Sequence, residues 1–152
     1  MARVILDTGV LVDAVRGKLD LAAIAEEDDV ALPAVALAEY LTGVELDTDP
    51  ARRAAQHAFL EELLAVTPVA DYTPEVAVHH ATLLAHVRRA GQPRGAHDLI
   101  IAATARATGR TLVSTDAQAG FTDLPEVDVR LLAPSVGQNS SRSSRSTPRS
   151  AS

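Results

Sequence analysis

Two short runs of β-branched and apolar residues each lead into an aspartate, and this feature limits the possible fold more than any other. Arg3 to Leu6 ends at Asp7, and Thr111 to Ser114 ends at Thr115 and Asp116. Both runs have the length and composition of buried strands. The sequence therefore predicts two strands, each with a carboxylate just past its carboxyl end.

Helical patterns separate these strands from weaker strand candidates. The further strand candidates are Val30 to Leu32, Val66 to Val69 and Val127 to Leu131. Four helices are predicted: one with Pro33 in its first turn and running to about Glu45, one opened by Pro50, one from Thr73-Pro74 to just before Gly91, and one between Gly95 and Gly109. Strands that alternate with helices imply an α/β fold, with a parallel sheet covered on both faces.

The composition suits one folded domain and a polar tail. The chain has 152 residues, of which 47% are hydrophobic, and this is enough for one buried core. We assign residues 1–134 to the domain. Residues 135–152 are rich in Ser and Arg and have almost nothing to bury, so they are predicted to be disordered.

Charge and cysteine content narrow the classes of function. The net charge is −6, so any contact with a polyanion has to use a local basic patch. There is no cysteine, which excludes disulfides, thiolate zinc sites and cysteine nucleophiles. The first residues lack the pattern of a signal peptide, and no run approaches the ~20 apolar residues of a membrane span. We therefore expect a cytoplasmic protein with no membrane partner.

Four acidic residues are the candidate site. In open parallel sheets, ligands bind beyond the carboxyl ends of the strands, where Asp7 and Asp116 are predicted to lie. Glu39 shares the mostly small and apolar face of its helix with Gly43, a residue small enough to let another element or an ion approach closely. Asp98 is in the first turn of a helix that is apolar enough to pack on the sheet.

Each of these acids also has a purely structural interpretation. Asp7 could cap the following helix, and Asp116 could be a turn or cap residue. Glu39 could lie at the rim of a buried stripe. Asp98 could be present only because a negative charge is favoured at the amino end of a helix.

Converging carboxylates would need a cation. They repel one another, and removing each of them from water unpaired costs several kcal/mol. Oxygen ligands favour Mg²⁺ or Mn²⁺ over zinc. Such a cation can orient and deprotonate a water molecule and neutralise the charge that develops on a phosphodiester. The expected chemistry is phosphodiester hydrolysis by a metal-dependent nuclease.

The acidic segments together resemble a PIN domain, and most closely the VapC-type toxins of bacterial toxin–antitoxin pairs. The resemblance spans Met1 to about Leu132. Four segments carry it: residues 6–12, residues 36–43, residues 95–105, and residues 112–116 with Phe121 after them.

The resemblance implies a three-layer α/β/α sandwich with a central, mostly parallel sheet. It also implies a Mg²⁺- or Mn²⁺-dependent endoribonuclease that cuts structured RNA such as tRNA or rRNA, with a cognate antitoxin and a homodimer as partners. The family's metal-binding acids are matched by Asp7, Glu39, Asp98 and, for the fourth and more variable ligand, Asp116. Small polar residues that support the site are matched by Thr8 and Thr115.

Two positions depart from the family pattern. Gly9 stands where the family usually has Asn or Ser, so a hydrogen bond is expected to be missing there. The spacing from Asp116 to Phe121 is one or two residues longer than the family pattern, which affects the geometry of the fourth ligand.

Arg88, Arg89 and Arg94 form the candidate basic patch for RNA, because they precede Asp98 closely in sequence. A structural alternative exists for Arg88 and Arg89, since cations are favoured in the last turn of a helix. Aromatic residues make up only 3% of the chain, so recognition of RNA backbone and shape is expected rather than base stacking.

Other functions are weaker fits or remain open. A phosphatase of the haloacid dehalogenase type needs a second Asp two residues after Asp7, where this chain has Gly9. A response-regulator receiver domain needs a lysine near its end, and Lys18 is the only lysine. Retention of all four acids argues against a non-catalytic PIN-like module that binds RNA or protein. An RNA-processing nuclease outside any toxin system would use the same acids and stays open.

Overall fold

The computed structural model describes residues 1–133, which form a central five-stranded parallel sheet flanked by helices. The strand order is β3-β2-β1-β4-β5, and every neighbouring pair is parallel. This arrangement confirms the predicted α/β fold with a parallel central sheet. The predicted tail, residues 135–152, lies outside the described residues. The strands are β1 (Arg3–Leu6), β2 (Asp29–Pro33), β3 (Val69–Ala70), β4 (Thr111–Ser114) and β5 (Val129–Leu131).

Six α-helices connect the first four of these strands. Because parallel crossovers are right-handed, the return across the sheet after β3 puts the pair α5 and α6 on the opposite face from the helices that follow β1 and β2. Within residues 1–133, none of the helices is long and apolar enough to cross a membrane. The helices are α1 (Thr8–Val15), α2 (Leu21–Glu27), α3 (Ala34–Leu46), α4 (Pro50–Val66), α5 (Pro74–Ala90) and α6 (Ala96–Thr108).

Several predicted boundaries are confirmed and others are wrong. Gly91 and Gly109 end α5 and α6 in the left-handed conformation, as predicted. Val66 belongs to α4 rather than to a strand, and β3 is limited to two residues beyond Pro68. The helix stops there because a residue that precedes proline is driven into extended conformation, as Thr67 is.

Pro33 also differs from its predicted place in the first helical turn. It is the last residue of β2 and the N-cap of α3, in extended conformation. The predicted strand from Val127 begins two residues later, at Val129. These shifts move element ends without changing the order of the elements.

The centre of the sheet determines where the candidate site lies. β1 and β4 are neighbours, with Leu6 paired to Val113, and both side chains are fully buried. From β1 the chain runs through β2 to β3 at one edge of the sheet, and it then crosses back to β4 on the other side of β1. The backbone N–H of Asp7 donates to the carbonyl of Val113 at 2.9 Å. The residues that follow β1 and β4 therefore emerge side by side at a topological switch point.

Candidate functional site

Asp7 follows β1 and is almost completely buried, with 6% of its surface exposed. It is the N-cap of α1, and its Oδ1 accepts a hydrogen bond from the backbone N–H of Thr8 at 2.8 Å. Its Oδ2 accepts a hydrogen bond from Ser114 Oγ at 2.9 Å. The capping interpretation is thus correct for Asp7, and the cap fixes its carboxylate at the switch point.

Ser114 is a site residue that the sequence analysis missed. It ends β4 and is fully buried. Besides donating to Asp7, its Oγ accepts a hydrogen bond from the backbone N–H of Asp116 at 3.0 Å. One hydroxyl thus joins the carboxylate that follows β1 to the backbone that follows β4. The only signal in the sequence was a hydroxyl residue at the end of an otherwise apolar strand.

Glu39 lies on α3 with its side chain one-third exposed. Its Oε1 accepts a hydrogen bond from Thr8 Oγ1 at 3.2 Å, so Thr8 lies beside two of the predicted acids. Its Oε2 is 3.7 Å from Nδ1 of His97, an exposed residue in the first turn of α6. The position of His97 beside the acids was not predicted.

Asp98 lies in the first turn of α6 and is half-buried. A Cβ placed on Gly95 would lie 3.2 Å from its Oδ2, so the glycine gives this carboxylate its room. A cleft of about 320 Å³ opens here and is lined by Glu39, Ala96 and His97 together with these two residues. Glu39 and Asp98 therefore face the same cleft from α3 and α6.

Asp116 is also a cap residue, as its structural interpretation predicted. Its Oδ1 accepts hydrogen bonds from the backbone N–H groups of Gln118 at 2.9 Å and Ala119 at 3.2 Å. These bonds cap a short 3-10 helix, Ala117–Ala119. A second one, Phe121–Asp123, begins with a buried Phe121. The longer spacing from Asp116 to Phe121 is thus taken up by a compact double turn.

The carboxylates influence one another electrostatically. Burial raises the pKa of Asp7, and the negative charges of Asp98 and Glu39 raise it further, against the hydrogen bonds from Ser114 and Thr8. The pKa of a buried acid rises because burial disfavours its charged form.

Asp98 shows the same pattern on the other side of the group. Burial raises its pKa first, and the charges of Glu39 and Asp116 add to the increase. The positive charges of His97 and Arg94 act in the opposite direction. Through Asp98, all four predicted acids are therefore linked in one negatively charged group.

The donor set of this group suits a hard divalent cation, since it consists of carboxylate and hydroxyl oxygens. In their present positions, however, the side chains of residues 1–133 form no group of three or more Asp, Glu or His residues that could hold a metal ion. Repulsion between uncompensated carboxylates opposes such a grouping. The residues thus fit Mg²⁺ or Mn²⁺ in chemistry, and coordination would require their side chains to close in.

The residues predicted to support the site or to contact RNA differ in how exposed they are and in what they contact. Thr115 Oγ1 would be 3.0 Å from a Cβ placed on Gly9, so the threonine fills the room beside the glycine. Arg88 and Arg89 are exposed in the last turn of α5, where they are free to contact a ligand. Arg94 is only 12% exposed, and its guanidinium donates to the carbonyl of Ala119.

A larger cavity, of about 580 Å³, lies elsewhere, between α1, α3 and α4. It is lined mainly by apolar residues such as Val12, Tyr40 and Val44, and by none of the four acids. Gly43 lines it too, and apart from its chain neighbours and the backbone of its own helix, no atom of residues 1–133 lies within 4 Å of the position of a Cβ there. The room that was predicted beside Gly43 is therefore open, and it borders this cavity rather than the acidic cleft. The acidic group, and not the larger cavity, is therefore the candidate site for chemistry.

Comparison with known proteins agrees with this geometry. The PIN domain family model matches residues 4–126. The chain is also similar to a protein named Ribonuclease VapC from Rickettsia bellii (strain RML369-C). The two are 26% identical over 125 residues, which cover 82% of this chain and 92% of that protein.

Solved structures share the fold. VapBC2 from Rickettsia felis, crystallised with a DNA fragment from its promoter, matches with a TM-score of 0.77 and 22% identity over 86% of this chain and 99% of that one. VapBC-5 from Mycobacterium tuberculosis matches with a TM-score of 0.70 and 24% identity, over 87% of this chain and 100% of that one. FitAcB from Neisseria gonorrhoeae matches with a TM-score of 0.69 and 26% identity over 83% and 95%. With a family model that spans most of its length, the chain belongs to the PIN domain family, as its four acidic segments predicted.

Proposed function

We propose that this PIN domain is a metal-dependent endoribonuclease that hydrolyses phosphodiester bonds of structured RNA, such as tRNA or rRNA. The observation that carries the proposal is the group of four carboxylates at the switch point of the sheet, where the negative charges of neighbouring acids raise the pKa of Asp7 and of Asp98. Similarity to a protein named as a ribonuclease supports the same activity. The four carboxylates belong to Asp7, Glu39, Asp98 and Asp116.

These four carboxylates would hold Mg²⁺ or Mn²⁺. When bound, such an ion supplies an activated water molecule and neutralises negative charge on the phosphate. The protein's own part is to hold the acids in place. Thr8 N–H and Ser114 Oγ fix both oxygens of Asp7, and Thr8 Oγ1 fixes one oxygen of Glu39.

In the hydrolysis, a water oxygen bonds to phosphorus, one P–O ester bond breaks, and the leaving oxygen takes up a proton.

The chain is acidic overall, so RNA has to be attracted by a local cationic surface. Arg88 and Arg89 provide one at the end of α5, and both are exposed. Arg94 is a weaker candidate for direct RNA contact, because its guanidinium is bonded within the protein.

The biological setting we propose is that of a toxin held in check in the cytoplasm by a cognate antitoxin, with the toxin forming a homodimer. Support comes from the similar solved structures, of which one is described as a member of the VapBC family of toxin–antitoxin systems and another as a toxin–antitoxin complex. Co-expression with the product of a neighbouring gene tests this setting. Rescue of growth would separate a toxin from an RNA-processing nuclease outside any toxin system.

The activity is tested by incubating purified protein with total cellular RNA and Mg²⁺ or Mn²⁺, in comparison with EDTA. Asp98→Asn removes one central carboxylate and is expected to abolish cleavage while the fold is retained. Asp71→Asn is the matched control, because Asp71 is exposed and lies outside the acidic group. The control is expected to cleave like the parent.

Discrete fragments that require both the metal and Asp98 would support the proposal and identify the target RNA. Full activity of Asp98→Asn would refute the assignment of the site. Intact RNA together with measurable RNA binding would instead favour a non-catalytic binding module.

A further inference from the structure

Arg94 lies in the turn between α5 and α6, four residues before Asp98, and its contacts run across to the loop that carries Asp116. Its Nη1 donates to the carbonyl of Ala119 at 2.7 Å, and its Nη2 is 3.8 Å from Asp123 Oδ2. The side chain is only 12% exposed. A guanidinium that is buried to this degree and donates to a backbone carbonyl is held by a directional, charge-assisted hydrogen bond.

The receiving backbone is shaped for this guanidinium. Gly120 has φ +66°, in the left-handed region that favours glycine. A Cβ on Gly120 would overlap Nη1 of Arg94, so a larger residue has no room while the arginine is in place. The guanidinium and Gly120 therefore fit each other as a pair.

The same short segment holds Asp116. Ala119 is the residue whose carbonyl accepts from Arg94, and its N–H donates to Asp116 Oδ1 at 3.2 Å. Gln118 N–H donates to the same oxygen at 2.9 Å. If this segment moved away from Arg94, the two N–H donors that orient the Asp116 carboxylate would move with it.

We propose that Arg94 is a positioning residue that holds the loop of Asp116 against the start of α6, and so places the fourth carboxylate beside Asp98 for divalent-cation binding. The inference rests on the proposed function, because it concerns how the same four acids hold the ion. It also explains why the longer spacing after Asp116 is tolerated, since the extra turn is clamped by an arginine from another element.

Electrostatics and positioning make opposite predictions for this residue. The positive charge of Arg94 acts on Asp98, where it opposes the pKa increase caused by the neighbouring acids. If charge alone mattered, loss of Arg94 would strengthen cation binding. If the clamp matters, loss of Arg94 weakens cation binding in spite of the removed charge.

The experiment measures Mn²⁺ binding to the full chain without RNA, by the electron paramagnetic resonance signal of free Mn²⁺. We expect Arg94→Gln to lower Mn²⁺ affinity about tenfold, as loss of an outer residue that orients a ligand commonly does. We expect Arg94→Lys to lie between the parent and Arg94→Gln, because one ammonium can keep one of the two contacts. Arg53→Gln is the matched control for the lost charge and should leave Mn²⁺ affinity unchanged, since Arg53 lies on α4 outside the acidic group.

Two further readouts show whether the effect passes through Asp116. Hydrogen exchange of the Gln118 and Ala119 amides should become faster in Arg94→Gln, and this measurement needs neither metal nor RNA. In an Asp116→Asn background, Arg94→Gln should cause no further loss of Mn²⁺ affinity.

Three results would overturn the inference. They are an unchanged or higher Mn²⁺ affinity in Arg94→Gln, unchanged exchange at the two amides, or an equal loss of affinity with and without the Asp116 carboxylate. An increase in KM for RNA at unchanged Mn²⁺ affinity would make Arg94 an RNA contact instead. A parent protein that binds no Mn²⁺ would refute the metal site of the proposed function itself, and with it this inference.

Discussion

Replacement of Ser114 by alanine should destabilise the protein by an amount that depends on pH. The serine hydroxyl is fully buried, donates to Asp7 Oδ2 at 2.9 Å, and accepts from the N–H of Asp116 at 3.0 Å. The alanine variant loses both bonds and leaves a buried carboxylate oxygen unpaired. A hydrogen bond to a charged group contributes about 1.5–3 kcal/mol. We therefore expect the free energy of unfolding to fall by about 2–3 kcal/mol near neutral pH.

The pH dependence follows from the pKa of Asp7. In the folded protein this pKa is raised above its ordinary value, mainly by burial, while the bond from Ser114 lowers it. An acid with a raised folded-state pKa releases its proton first from the unfolded chain, so stability falls as the pH rises from the unfolded pKa through the folded one. Loss of Ser114 raises the folded-state pKa further and widens that window.

The destabilisation by Ser114→Ala should therefore be larger at pH values above the folded-state pKa of Asp7 than at pH values below its unfolded-state pKa. Below that window the carboxyl is protonated in both states, and the lost bond between Ser114 and Asp7 is then a neutral hydrogen bond, worth about 1 kcal/mol. Urea-induced unfolding of the metal-free protein, followed by circular dichroism from about pH 3, below the ordinary pKa of an aspartate, to about pH 8, measures the difference.

Thr104→Val is the matched control. Thr104 is also buried, but its hydroxyl donates to the carbonyl of Ile100 within α6 and to no carboxylate. Its effect on stability should be the same at both ends of the pH range. An equal destabilisation by Ser114→Ala at both ends, or a loss below about 0.5 kcal/mol at neutral pH, would refute the reasoning about the buried carboxylate.

Two other predictions concern neighbouring residues. Asp98 has a folded-state pKa raised by burial and by its acidic neighbours, so its charge destabilises the metal-free fold once the pH exceeds that pKa. Asp98→Asn should therefore raise the thermal unfolding temperature at pH values above the folded-state pKa of Asp98, and should leave it unchanged at pH values below the unfolded-state pKa. A lower unfolding temperature at neutral pH would contradict this. Gly9→Ala should raise the free energy of unfolding by about 1 kcal/mol, through the higher helix propensity of alanine, only when Thr115 is also replaced by alanine. The reason is that Thr115 Oγ1 lies 3.0 Å from the new Cβ. Equal stability changes in the two backgrounds, measured by urea unfolding, would show that the threonine simply rotates away.

The strands at the centre of the sheet could be predicted to the residue. Arg3–Leu6 and Thr111–Ser114 are continuous apolar or β-branched runs bounded by acidic or polar residues, and nothing competes with the strand conformation there. β3 could not be predicted in this way. Its neighbourhood is equally apolar, and the helix before it continues until Pro68 forces an extended residue.

Asp7, Asp98 and Asp116 could be predicted to converge because each lies at or just beyond the end of an element, and element order decides which ends meet. Glu39 lies in the middle of α3 and could be predicted only from the small, apolar helix face that it shares. The partners of these acids could not be predicted. Ser114 reaches Asp7 across 107 positions, and His97 approaches Glu39 from another helix, so no local pattern contains either contact. The position of Arg94 depends on a left-handed glycine in a distant loop, Gly120.

The separation of Asp7 and Ser114 along the chain also has a consequence for biosynthesis. β1 is made first, but its partner β4 and the hydroxyl that fixes Asp7 follow only 107 positions later. Contacts this distant in sequence form late, because a long loop must close before they contribute to stability. A ribosome-bound fragment that ends before residue 111 therefore has the first three acids of the group and lacks the strand that aligns them. The acidic group is completed only in the last part of synthesis, so under the proposed function a product that ends before β4 would lack nuclease activity.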